Sequence, residues 1–407
     1  MRTRATTTIM SDTQDRGLTR RGLFFGGAAG LGAAAMFGID RATATPIDAE
    51  TVHGEKIEPF YGTHQAGITT LPQAHSSFYA FDLNEDVDRD GLVRMMRLLT
   101  DDAARLTQGI PALADSEPEL SIIPARLTVT FGFGPHFVKI ADPVLVPEWL
   151  APLPPFTIDN LDPAWSDGDL LIQVAADDPL TVSHAARMLM KDTRSFATLR
   201  WIQKGFRRSA GSRPSNATMR NLFGQLDGTV NPMPGTEEFD RVVWSKDSWL
   251  TGGTSLVIRR IDMDLETWDQ IDKPGREQSV GRTQDTGAPL TGTEEFDEPD
   301  FNAKNPVGFP IIADYAHIRR ARTGNPDEII FRRAYNYDET PESSTVSNAG
   351  QIFTSYQARV DTQFIPIQKR LDELDLLNEW TTPIGSSVFA IPPGCDVGGY
   401  IGETLLG

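Results

Sequence analysis

The order of secondary structure legible in the sequence predicts an α+β chain of two ferredoxin-like β-α-β-β-α-β units, each an antiparallel sheet with helices packed on it. Three observations carry that expectation. Strand and helix periodicities alternate in this order between residues 78 and 206. Residues 211–216 are polar and bear glycine and proline, as a linker would. The same order then begins again near Ser255. The two halves share no sequence repeat, so the duplication rests on element order alone.

In the first unit, residues 78–83 read as a strand. Leu92, Met95, Met96, Leu99, Ala103 and Leu106 then recur at helical spacing, with Asp90 to cap the helix and Gly109 to end it. Leu127, Val129, Phe131 and Phe133 alternate with Thr128, Thr130 and Gly132, which predicts a half-buried strand. Residues 170–175 form an apolar run between acids and read as a buried strand. Pro179 opens a helix with Val182, Ala186 and Leu189 on one face, and residues 199–206 return as a strand. In the second unit, residues 255–261 read as a strand and a helix begins over 265–271. Residues 329–337 and 352–356 are strands. Phe364, Ile367, Leu371, Leu374 and Leu377 mark an amphipathic helix, and residues 388–391 close the sheet. Residues 275–310 are acidic, rich in Gly and Pro, and too long for a plain connection. They are expected to form a surface insertion near the mouth of a binding site.

The chain of 407 residues has room for two domains, placed at 58–212 and 213–407. A hydrophobic content of 39% and a charged content of 23% are those of a soluble globular protein. The net charge of -18 argues against a nucleic-acid partner. A single cysteine, Cys395, excludes an intramolecular disulfide and an all-cysteine metal site, and no CxxCH is present for covalent haem attachment. Before the fold, Thr19-Arg20-Arg21 precedes an apolar, Gly/Ala-rich run ending near Ala42-Thr43-Ala44. Residues 1–44 thus read as a twin-arginine export signal with an A-x-A cleavage site, followed by a polar leader over 45–57. The run of about 18 residues is also just long enough to anchor in a bilayer. Its small residues and cleavage site favour removal, with no membrane contact afterwards. Export would be to the periplasm or the medium.

Residues 314–338 hold the most unusual pattern. His317 is followed, fifteen residues on, by the pair Arg332 and Arg333 inside a run that otherwise reads as a strand. Arginine is seldom buried without a partner, so an anion is expected beside it. A second stretch, Gly224-Gln225-Leu226-Asp227-Gly228, read alone is a turn. His64, between glycines, and His136 and His184 have the plainer reading of structural or exposed side chains.

Taken in order, GxxDG from Gly224, HIR from His317 and RR from Arg332 resemble the dye-decolourising (DyP-type) haem peroxidases, including the exported subgroup with deferrochelatase members. Further similar segments start at Leu127, Asp169, Asp285, Gln363 and Pro392, so the resemblance runs from Glu58 to the C-terminus. It implies non-covalent haem b in the C-terminal half, with His317 as the iron ligand. It implies contacts to haem from Gly228, Thr229, Val230 and Arg332, and further rim contacts near Arg322 to Gly324. Asp227 would shuttle the peroxide proton, and Arg332 would stabilise charge on the leaving oxygen. Hydrogen peroxide would yield an oxo-ferryl species that oxidises dyes or other aromatic reductants, in a chain that could form a homodimer. Where this sequence departs from the family pattern, Arg333 stands as an alternative to Arg332. A carboxylate to orient His317 is expected shortly after Tyr356-Gln357, where Asp361 is the nearest acid beyond Arg359. Tyr335, Tyr337, Trp201 and Trp380 could relay electrons, although aromatics in strands are usually core. Two alternatives accompany the peroxidase reading: a deferrochelatase releasing iron from haem, and a non-enzymatic haem carrier or sensor.

Overall fold

The computed structural model describes residues 53–341 and 345–407. The expected export signal and most of the leader lie outside the described residues. The first half contains β1 (His75–Leu83), α1 (Arg89–Thr107), β2 (Thr128–Phe133), β3 (Leu170–Ala176), α2 (Pro179–Thr193) and β4 (Ala197–Phe206). Its strands pair antiparallel in the spatial order β4-β1-β3-β2. A short hairpin follows, β5 (Met219–Arg220) with β6 (Leu226–Asp227). The second half continues with β7 (Thr254–Met263), α3 (Lys273–Val280), α4 (His317–Arg320), β8 (Phe331–Arg332) and β9 (Tyr335–Glu339). It ends with β10 (Asn348–Gln357), α5 (Ile365–Leu374) and β11 (Thr381–Ile391). These strands repeat the same permutation, β11-β7-β10-β9, and β8 pairs with the far end of β10. This is the α+β, twice ferredoxin-like architecture that the element order predicts.

The two sheets are joined at both edges. Phe206 pairs with Asn336 and Phe133 pairs with Ala390, so the strands close into a ring. The ring encloses an inner core that includes Phe78, Leu171, Leu256, Ile258, Tyr335 and Ile352. Helices α1 and α2 cover the outer face of the N-terminal sheet, burying Leu92, Leu99, Val182 and Leu189 against Val129, Phe131 and Ile172. Because both faces of that sheet are covered, β2 is buried throughout rather than half-exposed. Its threonines are satisfied inside: Thr130 donates to the Ala66 carbonyl at 2.6 Å, and Thr128 accepts from Gln73 at 3.0 Å.

Several boundaries differ from the sequence expectation for local reasons. Asp88, not Asp90, caps α1, accepting from the Gly91 N–H at 2.8 Å. The helix expected over 265–271 is a single turn, Leu265–Trp268, followed by the separate helix α3. Pro274 cannot continue a preceding helix but suits the first turn of a new one, capped by Asp272. The strand expected over 329–337 breaks between Arg332 and Tyr335. The amphipathic helix stops at Leu374, because Asp375 turns the chain and caps the next short helix, Leu376–Glu379.

Pairing inside the C-terminal sheet depends on close approach at Gly350 of β10, which sits between β7 and β9. A Cβ there would fall 2.1 Å from the Ile261 carbonyl oxygen and 2.6 Å from the Tyr337 hydroxyl. Gly350→Ala should therefore cost about 1–3 kcal/mol of stability, read as a lowered thermal or urea midpoint. An unchanged midpoint would show that the sheet yields freely at this position.

Candidate active site

Side chains on a strand alternate between faces, and β7 and β10 use both. Ile258 and Ile352 point into the inner core, while Ile261, Met263, Gln351 and Phe353 line a cavity of about 850 Å³ on the other side. The hairpin β5–β6, α4, α5 and the chain after α3 complete its walls. Of the lining residues only Ile158 comes from the first half of the chain. The acidic stretch expected as a surface insertion contributes Arg282, Glu298 and Phe301 to these walls.

His317 opens the one-turn helix α4, and its Nδ1 lies 2.6 Å from Asp375 Oδ2. Asp375, at the C-terminal end of α5, is only 6% exposed. Arg320 and Arg370 fix α4 against α5, each donating through Nε to the other's carbonyl, at 2.9 and 3.1 Å. Burial pushes the imidazole pKa down, but the Asp375 carboxylate outweighs it and the net direction is up. With Nδ1–H donated to Asp375, Nε2 carries the free lone pair, and the carboxylate that favours a proton on the ring also favours a metal cation there. The sequence expectation of an acid just beyond Tyr356-Gln357 is therefore corrected. Asp361 pairs with Arg359 at 2.7 Å, and Asp375 occupies the orienting position instead. No local signal marked it, since Asp375 lies among Asp372, Glu373 and Glu379 in a stretch expected to be helical as far as Leu377.

Asp227 ends β6, and Gly228 follows at φ +115°, a conformation that favours glycine. Its carboxylate is held from both sides. Arg332 Nη1 donates to Oδ1 at 2.9 Å, and Gln351 Nε2 donates to Oδ2 at 2.8 Å. Burial pushes the Asp227 pKa up, yet Arg332, the Gln351 bond, His317 and Arg207 together bring it below the usual carboxylate value. Asn231, which sequence reasoning missed, ties the turn to β8. Its side chain accepts from the Arg332 N–H at 3.0 Å and donates to the Arg332 carbonyl at 2.7 Å. Nothing local to the sequence marks that Asn, since its partner lies 101 residues away.

Gly228, Thr229 and Val230 line the same cavity, as do Arg322, Thr323 and Gly324. Thr229 donates to Glu295 at 3.0 Å, which fastens the inserted stretch beside the turn. Arg333 does not line the cavity: it is 1% exposed and donates to the Thr70 carbonyl, so the guanidinium beside Asp227 is that of Arg332. His64 stacks on Trp244 at 3.6 Å and bonds the Gly252 carbonyl. His184 pairs with Asp115 at 2.8 Å, and His136 with Asp169 at 3.0 Å. All three lie outside the cavity. Tyr335, Tyr337 and Trp201 sit in the inner core. Trp380 packs on Trp268 at 5.2 Å, and Trp268 packs on the cavity-lining Phe223 at 4.3 Å.

These residues fit a haem. The volume is at the upper end for ligand sites, and Leu226, Ile261, Met263, Phe353 and Ile367 supply apolar walls. Arg282 and Arg322 place cationic groups on the wall, where Arg322 pairs with Glu298 and Arg282 donates to the Gly287 and Glu295 carbonyls. Among the described residues no cluster of three or more His, Cys, Asp or Glu could hold a bare ion. An iron at His317 must then bring most of its own ligands, as a porphyrin does.

Comparison with known proteins agrees. The family model for the N-terminal part of Dyp-type peroxidases matches residues 65–207, and that for the C-terminal part matches residues 218–396. The chain is 35% identical to the dye-decolorizing peroxidase of Thermobifida fusca, over 97% of this chain and 99% of the relative. It is 34% identical to a deferrochelatase of Escherichia coli O157:H7, over 93% of this chain and 95% of the relative. The crystal structure of a DyP-type peroxidase from Cellulomonas bogoriensis superimposes with a TM-score of 0.85 at 50% identity, covering 87% of this chain and 99% of that one. With both halves matched, the chain belongs to the Dyp-type peroxidase family and is a haem-dependent peroxidase.

Proposed function

We propose that this peroxidase oxidises dyes and phenolic compounds at the expense of hydrogen peroxide, with His317 as iron ligand and Asp227 and Arg332 as its acid–base and charge-stabilising groups. The observation that carries the reading is the Asp227–Arg332 pair, 2.9 Å apart, in the same cavity as a histidine oriented by Asp375. When bound, haem supplies the redox chemistry between peroxide and reductant. The chain's own groups manage the protons and charge around it.

Asp227 is the proton carrier. Ionised, it accepts a proton from peroxide at whichever oxygen lone pair its two donors leave free, and it returns that proton to the departing oxygen. Arg332 spends one N–H on Asp227 and has four others, any of which can meet negative charge on that oxygen. Gly228, Thr229 and Val230 would hold the cofactor through their backbone, and Arg322 to Gly324, which line the same cavity, would add further contacts. Export by the twin-arginine route is part of the same proposal, and the mature N-terminus of exported protein should lie just after Ala44.

The deferrochelatase relative favours a second reading of the same pocket, in which iron leaves an intact porphyrin. Mass spectrometry after incubation with haem separates the two, because metal-free protoporphyrin IX supports the second reading and its absence the first.

Stopped-flow mixing with peroxide tests the assignment residue by residue. His317→Ala should purify without the absorption of histidine-ligated haem. Asp227→Asn should slow the reaction by about 10² to 10⁴, and Arg332→Leu by about 10² to 10³. Because Asp227 works ionised and its pKa is held down, the wild-type rate should persist into acid below the ordinary carboxylate range. Arg332→Leu should move that acid limb upward. An Asp227→Asn variant reacting at the wild-type rate would remove Asp227 from the mechanism.

A further inference from the structure

We propose that Gln351 is a positioning residue for the peroxide reaction, whose side-chain amide holds the Asp227 carboxylate in a single orientation from the side opposite Arg332's oxygen. This rests on Asp227 being the proton carrier. The contact is direct: Gln351 Nε2 lies 2.8 Å from Asp227 Oδ2, while Arg332 occupies Oδ1.

A carboxylate held by one donor alone can still turn about its last torsion, which is broad for Asp. A second donor on the other oxygen fixes its plane, and with it the lone pairs that face incoming peroxide. The donor is itself rigid. Gln351 sits in β10 with strands on both sides, opposite Ile261 of β7 and Asn336 of β9, and is 8% exposed. Among the described residues its side chain makes no other hydrogen bond. A polar amide between Ile261 and Phe353 on an apolar wall costs desolvation, and the bond to Asp227 is what offsets it. The amide also works electrostatically. Arg332 on β8 and Arg207 just beyond β4 are the cations that act on Asp227, His317 on α4 is the titratable ring in the same cavity, and Gln351 is the neutral donor of that set. Its donated N–H favours the ionised acid.

Cyanide gives a readout apart from turnover, because it reaches ferric haem as HCN and needs a base to take its proton. Cyanide binding and the peroxide reaction are followed against pH in haem-loaded wild type, Gln351→Met, Gln351→Glu and Asp227→Asn. Methionine keeps the side chain's length but cannot donate. Its loss of the bond should raise the acid limb of both profiles by roughly half a unit to one unit, up to about tenfold in rate below the limb. Glutamate, a second acid beside the first, should raise it further. Either variant suffices if the other fails to retain haem. Should Asp227→Asn abolish the limb while the Gln351 variants leave it in place, the positioning role is overturned and Asp227 stands. Should Asp227→Asn leave the limb unchanged, the proton-carrier reading fails and this inference fails with it.

Discussion

The strands of the C-terminal sheet turn one face into the ring, and the other must be covered from outside. The inner face packs against the N-terminal sheet through Leu256, Ile258, Ile352 and Tyr335. The outer face of the N-terminal sheet is covered by α1 and α2, but only part of the outer face of the C-terminal sheet is packed, at Val257 and Val388, and the rest, at Ile261, Met263, Gln351 and Phe353, looks onto a cavity. A flat apolar cofactor bound there would do for this part of the sheet what two helices do for its counterpart. Binding such a group is thus continuous with folding, since the same burial of hydrocarbon drives both.

Within that cavity the polar groups are fixed by contacts between distant segments. His317 finds its carboxylate 58 residues on, Asp227 finds Arg332 at 105 and Gln351 at 124, and Asn231 clamps β8 across 101. Each arrives on an element anchored elsewhere: α4 by its reciprocal bonds to α5, Gln351 by strand pairing on both sides. Side chains supported in this way lose little freedom when they engage a ligand, which is what acid–base geometry at a reacting atom requires.

Sequence alone was enough for the fold class, because alternation and helical spacing report which face of each element is apolar. It also singled out His317, Asp227 and the arginine pair, since a histidine and paired arginines in a core-like strand violate the pattern around them and resemble an ordered family signature, and His317, Asp227 and Arg332 do line one cavity. It could not say which arginine faces the cavity. Neighbours on a strand point to opposite faces, and a one-residue difference in register exchanges them; pairing with β10 turned Arg332 outward and Arg333 into the ring. Nor could it reveal Asp375, Asn231 or Gln351, whose roles come from partners far away in the chain and not from local pattern. Closure of the two sheets into a ring was likewise a tertiary outcome, because edge strands carry no mark of what they will pair with.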